Sequence, residues 1–251
     1  MIKLKKIIPV CLIALLTSAT NFAQYGNVNG RQSNANFEAN LAANNVLRGR
    51  DLLQDVLKQK NNNELSLSEI EGNPYLNENF LKGRLMYKDS IELGEYLMRY
   101  HSFADEFEIS NAEGPGFLNK ADYLRVNLAG DSYRPLNYID ENGEIKKGFF
   151  IIKSEGPKAS LFLRKYKKVK PAQEAKTSFH KATPAKFLAY ENYFLKFGNE
   201  APFEIKLKKG KFIKLFPENQ DRLKKYIKTN NLNLEEEKDA ITLIDYYNSL
   251  P

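Results

Sequence analysis

Three features of the chain predict an α+β fold whose larger part is an antiparallel β-meander, rolled or sandwich-like. Short runs of strand-forming residues alternate with turn-forming clusters from Phe80 onward. One stretch, GFFIIKSEGPKASLFLRKYKKVK from Gly148 to Lys170, reads as a β-hairpin with an unusually apolar pair of strands. Two stretches near the C-terminus carry apolar residues at helical spacing with helix-stop residues between them. The chain has 251 residues, of which 42% are hydrophobic and 12% aromatic, enough apolar material for a packed core.

The first 23 residues read as a signal peptide. Lys3, Lys5 and Lys6 give a positive start, Ile7 to Leu16 an apolar run, and Thr17 to Ala23 a small-residue tail that suits cleavage after Ala23. The apolar run falls short of the roughly 20 residues that span a bilayer. The sequence therefore predicts export to the periplasm, the outer membrane or the exterior, with no transmembrane span in the mature chain. Cys11, the single cysteine, lies inside the apolar run. A mature chain without it has no disulfide, no cysteine-ligated zinc and no thiol nucleophile.

Residues 24–63 are expected to form a mobile leader, rich in Asn, Gly and Gln, followed by an amphipathic helix from Leu41 to Lys60. Ala42, Val46, Gly49, Leu53 and Val56 share its apolar face. That helix could cover the sheet or dock a protein partner; it is too short, and Gly49 sits too centrally, for a stable coiled coil.

Residues 64–170 read as the antiparallel β domain. Strands are expected at Phe80–Tyr87, Tyr96–His101, Glu106–Ser110, Tyr123–Leu128 and Tyr133–Tyr138, then at Gly148–Lys153 and Ala159–Tyr166 around the Ser154-Glu155-Gly156-Pro157 turn. Phe149 and Ile151 point to one side of their strand, Phe150 and Ile152 to the other, so both sides must be covered. Residues 171–185 read as a basic connector. Residues 186–251 follow as a small sheet, with strands at Lys186–Ala189, Tyr193–Phe197 and Phe203–Leu207, and two C-terminal helices. The first helix opens at Phe216-Pro217 and uses Leu223, Tyr226 and Ile227; the second is capped by Asn233 with Glu236 three residues on.

Charge is segregated. The formal net charge is +7. Residues 24–141 hold 12 basic and 18 acidic side chains, residues 142–228 hold 22 and 8, and residues 229–251 hold 1 and 5. The basic middle interleaves lysines with aromatics, a composition suited to an anionic surface. Candidate contacts are Arg164, Lys165, Lys167, Lys168 and Lys170 on the return strand, with Lys206, Lys208, Lys209 and Lys211 further on. For an exported protein the fitting partners are an acidic glycan, lipopolysaccharide or a protein, rather than nucleic acid. The bland alternative is that these lysines are the solvated side of a sheet.

Catalytic signals are weak. With two histidines, His101 and His180, histidine chemistry is tightly limited. His101 stands near Asp105 and Glu106, but in a strand residues four apart are about 13 Å apart. G-x-S-x-G, H-E-x-x-H, P-loop and dinucleotide patterns do not occur in the sequence. Asp105-Glu106 and Asp140-Glu141 leave one enzymatic alternative open, a hydrolase acting on glycan or cell-wall material through paired carboxylates. Neither a cofactor nor a metal site is predicted.

The segments Asn73-Pro74-Tyr75-Leu76-Asn77-Glu78-Asn79-Phe80, Met98-Arg99-Tyr100, Asp105-Glu106-Phe107-Glu108, Gly148-Phe149-Phe150 and Asp245-Tyr246-Tyr247-Asn248 resemble a family of uncharacterised secreted β-rich proteins of the Bacteroidota. The resemblance covers most of the chain from Gly72. It implies an address and a lineage, and it brings no catalytic residue. The sequence reading is thus a secreted cell-envelope protein, a binding or structural module that engages a protein partner or an anionic envelope surface.

Overall fold

The structure is a computed structural model that describes residues 57–58, 70–89, 91–111, 114–140, 142–175 and 181–251. All of these belong to one compact unit spanning residues 45–251. The strands are β1 (Leu57–Lys58), β2 (Leu81–Tyr87), β3 (Ile91–His101), β4 (Glu106–Ile109), β5 (Gly116–Leu118), β6 (Leu124–Leu128), β7 (Asp131–Ile139), β8 (Ile145–Ser154), β9 (Ala159–Lys170), β10 (Lys186–Phe197) and β11 (Phe203–Ile205). The helices are α1 (Lys209–Phe212), continued by a 3-10 turn at Ile213–Leu215, then α2 (Gln220–Thr229) and α3 (Glu237–Ser249).

Ten strands, β2 to β11, with the two-residue β1 at one end, make a single sheet in the order β1-β5-β4-β3-β2-β6-β7-β8-β9-β10-β11. Every strand pairing in it is antiparallel. Two meanders therefore stand back to back, joined where β2 pairs with β6.

The sheet is rolled, and packing shows it. Tyr100 of β3 and Tyr133 of β7 are three strand spacings apart in the sheet order, about 14 Å if it were flat. Their rings stand 5.6 Å apart, centre to centre. Leu85, Met98, Phe107, Val126, Phe149 and Leu163, drawn from both meanders, close into the same buried cluster. Strand alternation supplies these inward residues: Leu124, Val126 and Leu128 of β6 are buried while Arg125 and Asn127 between them are not. A second cluster forms where α2 and α3 cover Ala159, Leu161, Leu195 and Ile205, with Phe216 and Leu243 filling the space between. A third, Tyr138, Phe150, Phe162 and Phe194, is buried on the opposite side of β7 to β10. Both sides of the central hairpin are thus covered, as its double apolar pattern requires.

Several expectations are corrected. The predicted small sheet of residues 186–251 is not separate, because β10 pairs with β9 from Lys186↔Lys170 to Phe197↔Ala159 and extends the same sheet. The break expected at Glu191-Asn192 is absent; β10 runs through it, held by the continuous ladder from β9. The expected connector is the loop of this long hairpin, tied by two hydrogen bonds between the backbones of Gln173 and Thr183, both 2.9 Å. Strand β5 lies in the Gly-Pro-Gly turn region, where propensity argues against it and pairing with β4 wins. Pro217 precedes α2 rather than entering its first turn. The Asn233 cap does not form: α3 begins after Glu236 without a side-chain cap, and the Asn233 side chain instead accepts from the Glu235 N–H at 3.3 Å. Of the expected N-terminal helix, Leu57 and Lys58 are strand, paired with Leu118 and Phe117; the remainder lies outside the described residues.

Candidate functional site

The site arises where the sheet comes apart. β8 pairs with β9 only at Ile151↔Leu163, Ile152↔Phe162 and Ser154↔Leu161, with a register shift inside this short run. The first half of β8 continues beside β7, while the second half of β9 continues beside β10. Between them the backbone edges would be left unpaired, and unpaired buried groups are costly. The tight β3–β4 turn fills part of the seam. The Lys167 N–H donates to the Ser102 carbonyl at 3.0 Å, and the Phe149 N–H donates to Asp105 Oδ1 at 3.1 Å.

Asp105 is the hub of the seam. Its backbone is left-handed, with φ +57°, a conformation that Asp tolerates better than most residues. Oδ1 also accepts from the Tyr100 hydroxyl at 2.5 Å. Oδ2 faces Lys120 Nζ at 3.3 Å and Arg164 Nη2 at 3.6 Å. Gly148 makes this approach sterically available, since a Cβ there would stand 2.9 Å from Asp105 Oδ2, 3.1 Å from the Tyr138 ring and 3.3 Å from Arg164 Nε.

Above this floor a cleft of about 770 Å³ opens between the β7–β8 hairpin and the β9–β10 ribbon. Tyr138, Asp140 and Lys146 form one wall, and Arg164, Tyr166, Lys168 and Asn192 the other. Arg164 lies 4.6 Å from the Tyr138 ring centre and 5.2 Å from that of Tyr166, close enough for attraction between the cation and each ring. Asn192 Nδ2 donates to the Tyr166 hydroxyl at 3.3 Å. Phe103 and Ile139, 40% and 58% exposed, stand at the mouth. Glu204 of β11 lies at the far side.

The titratable groups have distinct states. The Asp140 side chain is only 10% exposed, and the Lys146 ammonium with the N–H groups of Glu144 and Asn142 holds its carboxyl down at about 2. Burial lowers the Lys167 pKa. Burial raises that of Tyr138, with Arg164 opposing the shift.

Strand alternation sorts the predicted cations. Arg164, Lys168 and Lys170 share one side of β9 with Tyr166, opposite Asn192, Leu188, Lys186 and Tyr190 of β10. Tyr166 and Tyr190 stack at 5.5 Å and 19°. This outer side of the ribbon carries Arg164, Lys168, Lys170 and Lys186 around a tyrosine pair. Lys165 and Lys167 point to the other side. Lys167 is committed to the fold there, its ammonium donating to the carbonyls of Asn73 and Tyr75 at 2.6 and 2.7 Å. Lys206, Lys208 and Lys211 are exposed where the chain leaves edge strand β11 for α1. Lys209 belongs to α1, and its side chain lies outside the described residues. Sequence reasoning missed Tyr138, Lys146, Lys186 and Asn192, which no local pattern links to Arg164. Only the register of β9 against β10 could have exposed Asn192 and Lys186.

The carboxylates considered for catalysis are otherwise employed. Both Asp105 oxygens face protein donors, and Asp140 is held ionised, the reverse of what a proton-donating acid requires. His101 is buried, accepts the Ala104 N–H on Nδ1 at 3.0 Å and packs against Tyr75. His180 and Glu141 lie outside the described residues. Among the described residues there is no group of three or more His, Cys, Asp or Glu side chains placed to hold a metal ion, and no helix long and apolar enough to cross a membrane. The chain matches no protein-family model, no curated protein and no solved structure.

Proposed function

We propose that this protein is an exported, non-catalytic module of the cell envelope that binds an anionic envelope component through the outer side of the β9–β10 ribbon. The observation that carries the reading is the collection of Arg164, Lys168, Lys170 and Lys186 around the stacked Tyr166–Tyr190 pair on one strand surface. Cations beside exposed aromatic rings suit an acidic glycan or the phosphorylated saccharide of lipopolysaccharide, because the ring takes the apolar side of a sugar while the ammonium takes its charge. The basic start and small-residue end of residues 1–23 support export. The way Asp105 and Asp140 are engaged supports a binding role over hydrolysis.

The test is binding to purified lipopolysaccharide as ionic strength rises from about 0.05 to about 0.5 M, which shortens the screening length several-fold. Affinity should fall steeply over that range, and reversing three exposed charges, Lys168→Glu, Lys170→Glu and Lys186→Glu together, should abolish it. Binding that ignores salt, or survives the triple reversal, overturns the reading.

A further inference from the structure

We infer that the seam cleft is a built subsite for one carboxylate-bearing sugar, a hexuronate unit of an acidic glycan, with Arg164 as the residue that receives the carboxylate. The inference rests on the reading of the ribbon as an anion-binding surface and assigns it a specific pocket.

The first reason is the condition of Arg164. Its side chain is only 16% exposed, it lies against two tyrosine rings, and it borders the cleft. Its partner Asp105 meets it at 3.6 Å, beyond good hydrogen-bonding range, and sits closer to Lys120. Nε is buried without a hydrogen-bond partner among the described residues. A guanidinium held in place and incompletely paired is a preorganised receptor for a planar two-oxygen anion.

The second reason is the rest of the lining. Arg164, Lys146 and Lys168 border the cleft together with two carboxylates, Asp140 and Glu204. A bare polyanion would be drawn to the cations and opposed by those carboxylates. A sugar acid has a use for both: one carboxylate for Arg164, and hydroxyl groups that donate to Asp140 and Glu204 and exchange hydrogen bonds with Asn192. Tyr138 and Tyr166 supply ring surface for the C–H side of a pyranose. The volume, about 770 Å³, lies within the usual range for a small-ligand site.

The third reason is continuity. Arg164, Tyr166, Lys168 and Asn192 belong both to the cleft and to the outer side of the ribbon, where Tyr190, Lys170 and Lys186 extend the surface away from it. A chain of sugars could place one unit in the cleft and run its neighbours along the stacked tyrosines.

The test uses the full mature protein and tetragalacturonate, with its methyl ester as the uncharged counterpart, followed by calorimetry and by amide NMR shifts. The expected result is binding of the acid, at least about tenfold weaker binding of the ester, and shifts centred on Tyr138, Gly148, Arg164 and Asn192. Arg164→Gln should weaken the acid by about tenfold or more without moving the ester, and Lys170→Glu with Lys186→Glu should weaken it less. The shift map on the unaltered protein decides the matter if Arg164→Gln misfolds. Shifts confined to Lys170 and Lys186, equal binding of acid and ester, or full displacement by equimolar inorganic phosphate would each overturn the cleft assignment. Salt-sensitive binding to lipopolysaccharide without any response to tetragalacturonate overturns this inference and leaves the ribbon reading standing. Loss of both overturns both.

Discussion

At the residue scale, Asp105 accomplishes most with one side chain. It lies in a turn at positive φ, reaches across the seam to the backbone of β8, accepts a hydrogen bond from the Tyr100 hydroxyl and faces two cations. Removing a buried charge that other groups depend on leaves them unpaired, and such losses run to about 3–5 kcal/mol. Asp105→Ala should therefore lower the urea-unfolding free energy by about that amount. Asp105→Asn, which keeps an acceptor and accepts the same backbone conformation, should cost markedly less. Equal effects of the two changes would mean that the hydrogen bonds of Asp105 carry nothing. This role was invisible in the sequence, where Asp105-Glu106 looked like a solvated turn or half of a catalytic pair. The relevant partners, Phe149 and Arg164, lie 44 and 59 positions away and only topology brings them in.

At the scale of elements, the best-read feature was the central hairpin. Its four consecutive apolar residues, Phe149 to Ile152, demanded cover on both sides, and two separate clusters supply it. Apart from β5, the strands from β2 to β9 followed from alternation and turn chemistry, though β3 begins at Ile91, five residues before the expected Tyr96. What misled was local: Glu191-Asn192 looked like a turn, and β5 looked like a loop, because a residue's propensity yields to the strand beside it. The attachment of α3 is a further case that no sequence pattern announced. Asn248 accepts from the N–H groups of Lys158 and Ala159 at 3.0 and 2.9 Å and donates to the Ala159 carbonyl at 2.9 Å. Gly156 leaves the room, since a Cβ there would sit 2.2 Å from the Asn248 amide. The Lys158 ammonium also donates to the carbonyls of Leu250 and Pro251. Asn248→Ala strands two backbone donors in a half-buried place and should destabilise by about 1–3 kcal/mol. Hydrogen exchange should then quicken in α3 and at the β8–β9 turn before it quickens in β6 and β7.

For the whole molecule, the rolled core contains tyrosines whose hydroxyls are withdrawn from water. Burial, reinforced by Asp105, pushes the Tyr100 pKa far up, and burial together with Asp131 raises that of Tyr133. A tyrosine is neutral while it holds its proton, so a raised folded-state value makes its contribution complete below the unfolded value near 10. Above about pH 10 the unfolded chain releases these protons while the folded one retains them, and stability falls by up to about 1.4 kcal/mol per pH unit for each such tyrosine. Urea midpoints measured from about pH 8 to about pH 11 should drop on the alkaline side, and Tyr133→Phe should flatten the decline. A decline that Tyr133→Phe leaves unchanged would assign it to other groups. The charge segregation read from the sequence survives at this scale in a narrower form. Alternation sends Lys165 and Lys167 away from Arg164, Lys168 and Lys170, so a run of basic residues that looked continuous is two surfaces.

The parting of β8 from β9 has a mechanical consequence. Past Leu163 the long ribbon joins the rest of the rolled sheet through a short splice, is braced from beneath by the β3–β4 turn and the Lys167 ammonium, and is tied near its far end by Glu71, whose backbone bonds to Ala185 and Phe187. Its stiffness therefore resides in a few braces rather than in a full ladder. Anything lodged between the walls would act as a further strut, quieting the ribbon at some entropic cost and leaving the rolled core unchanged.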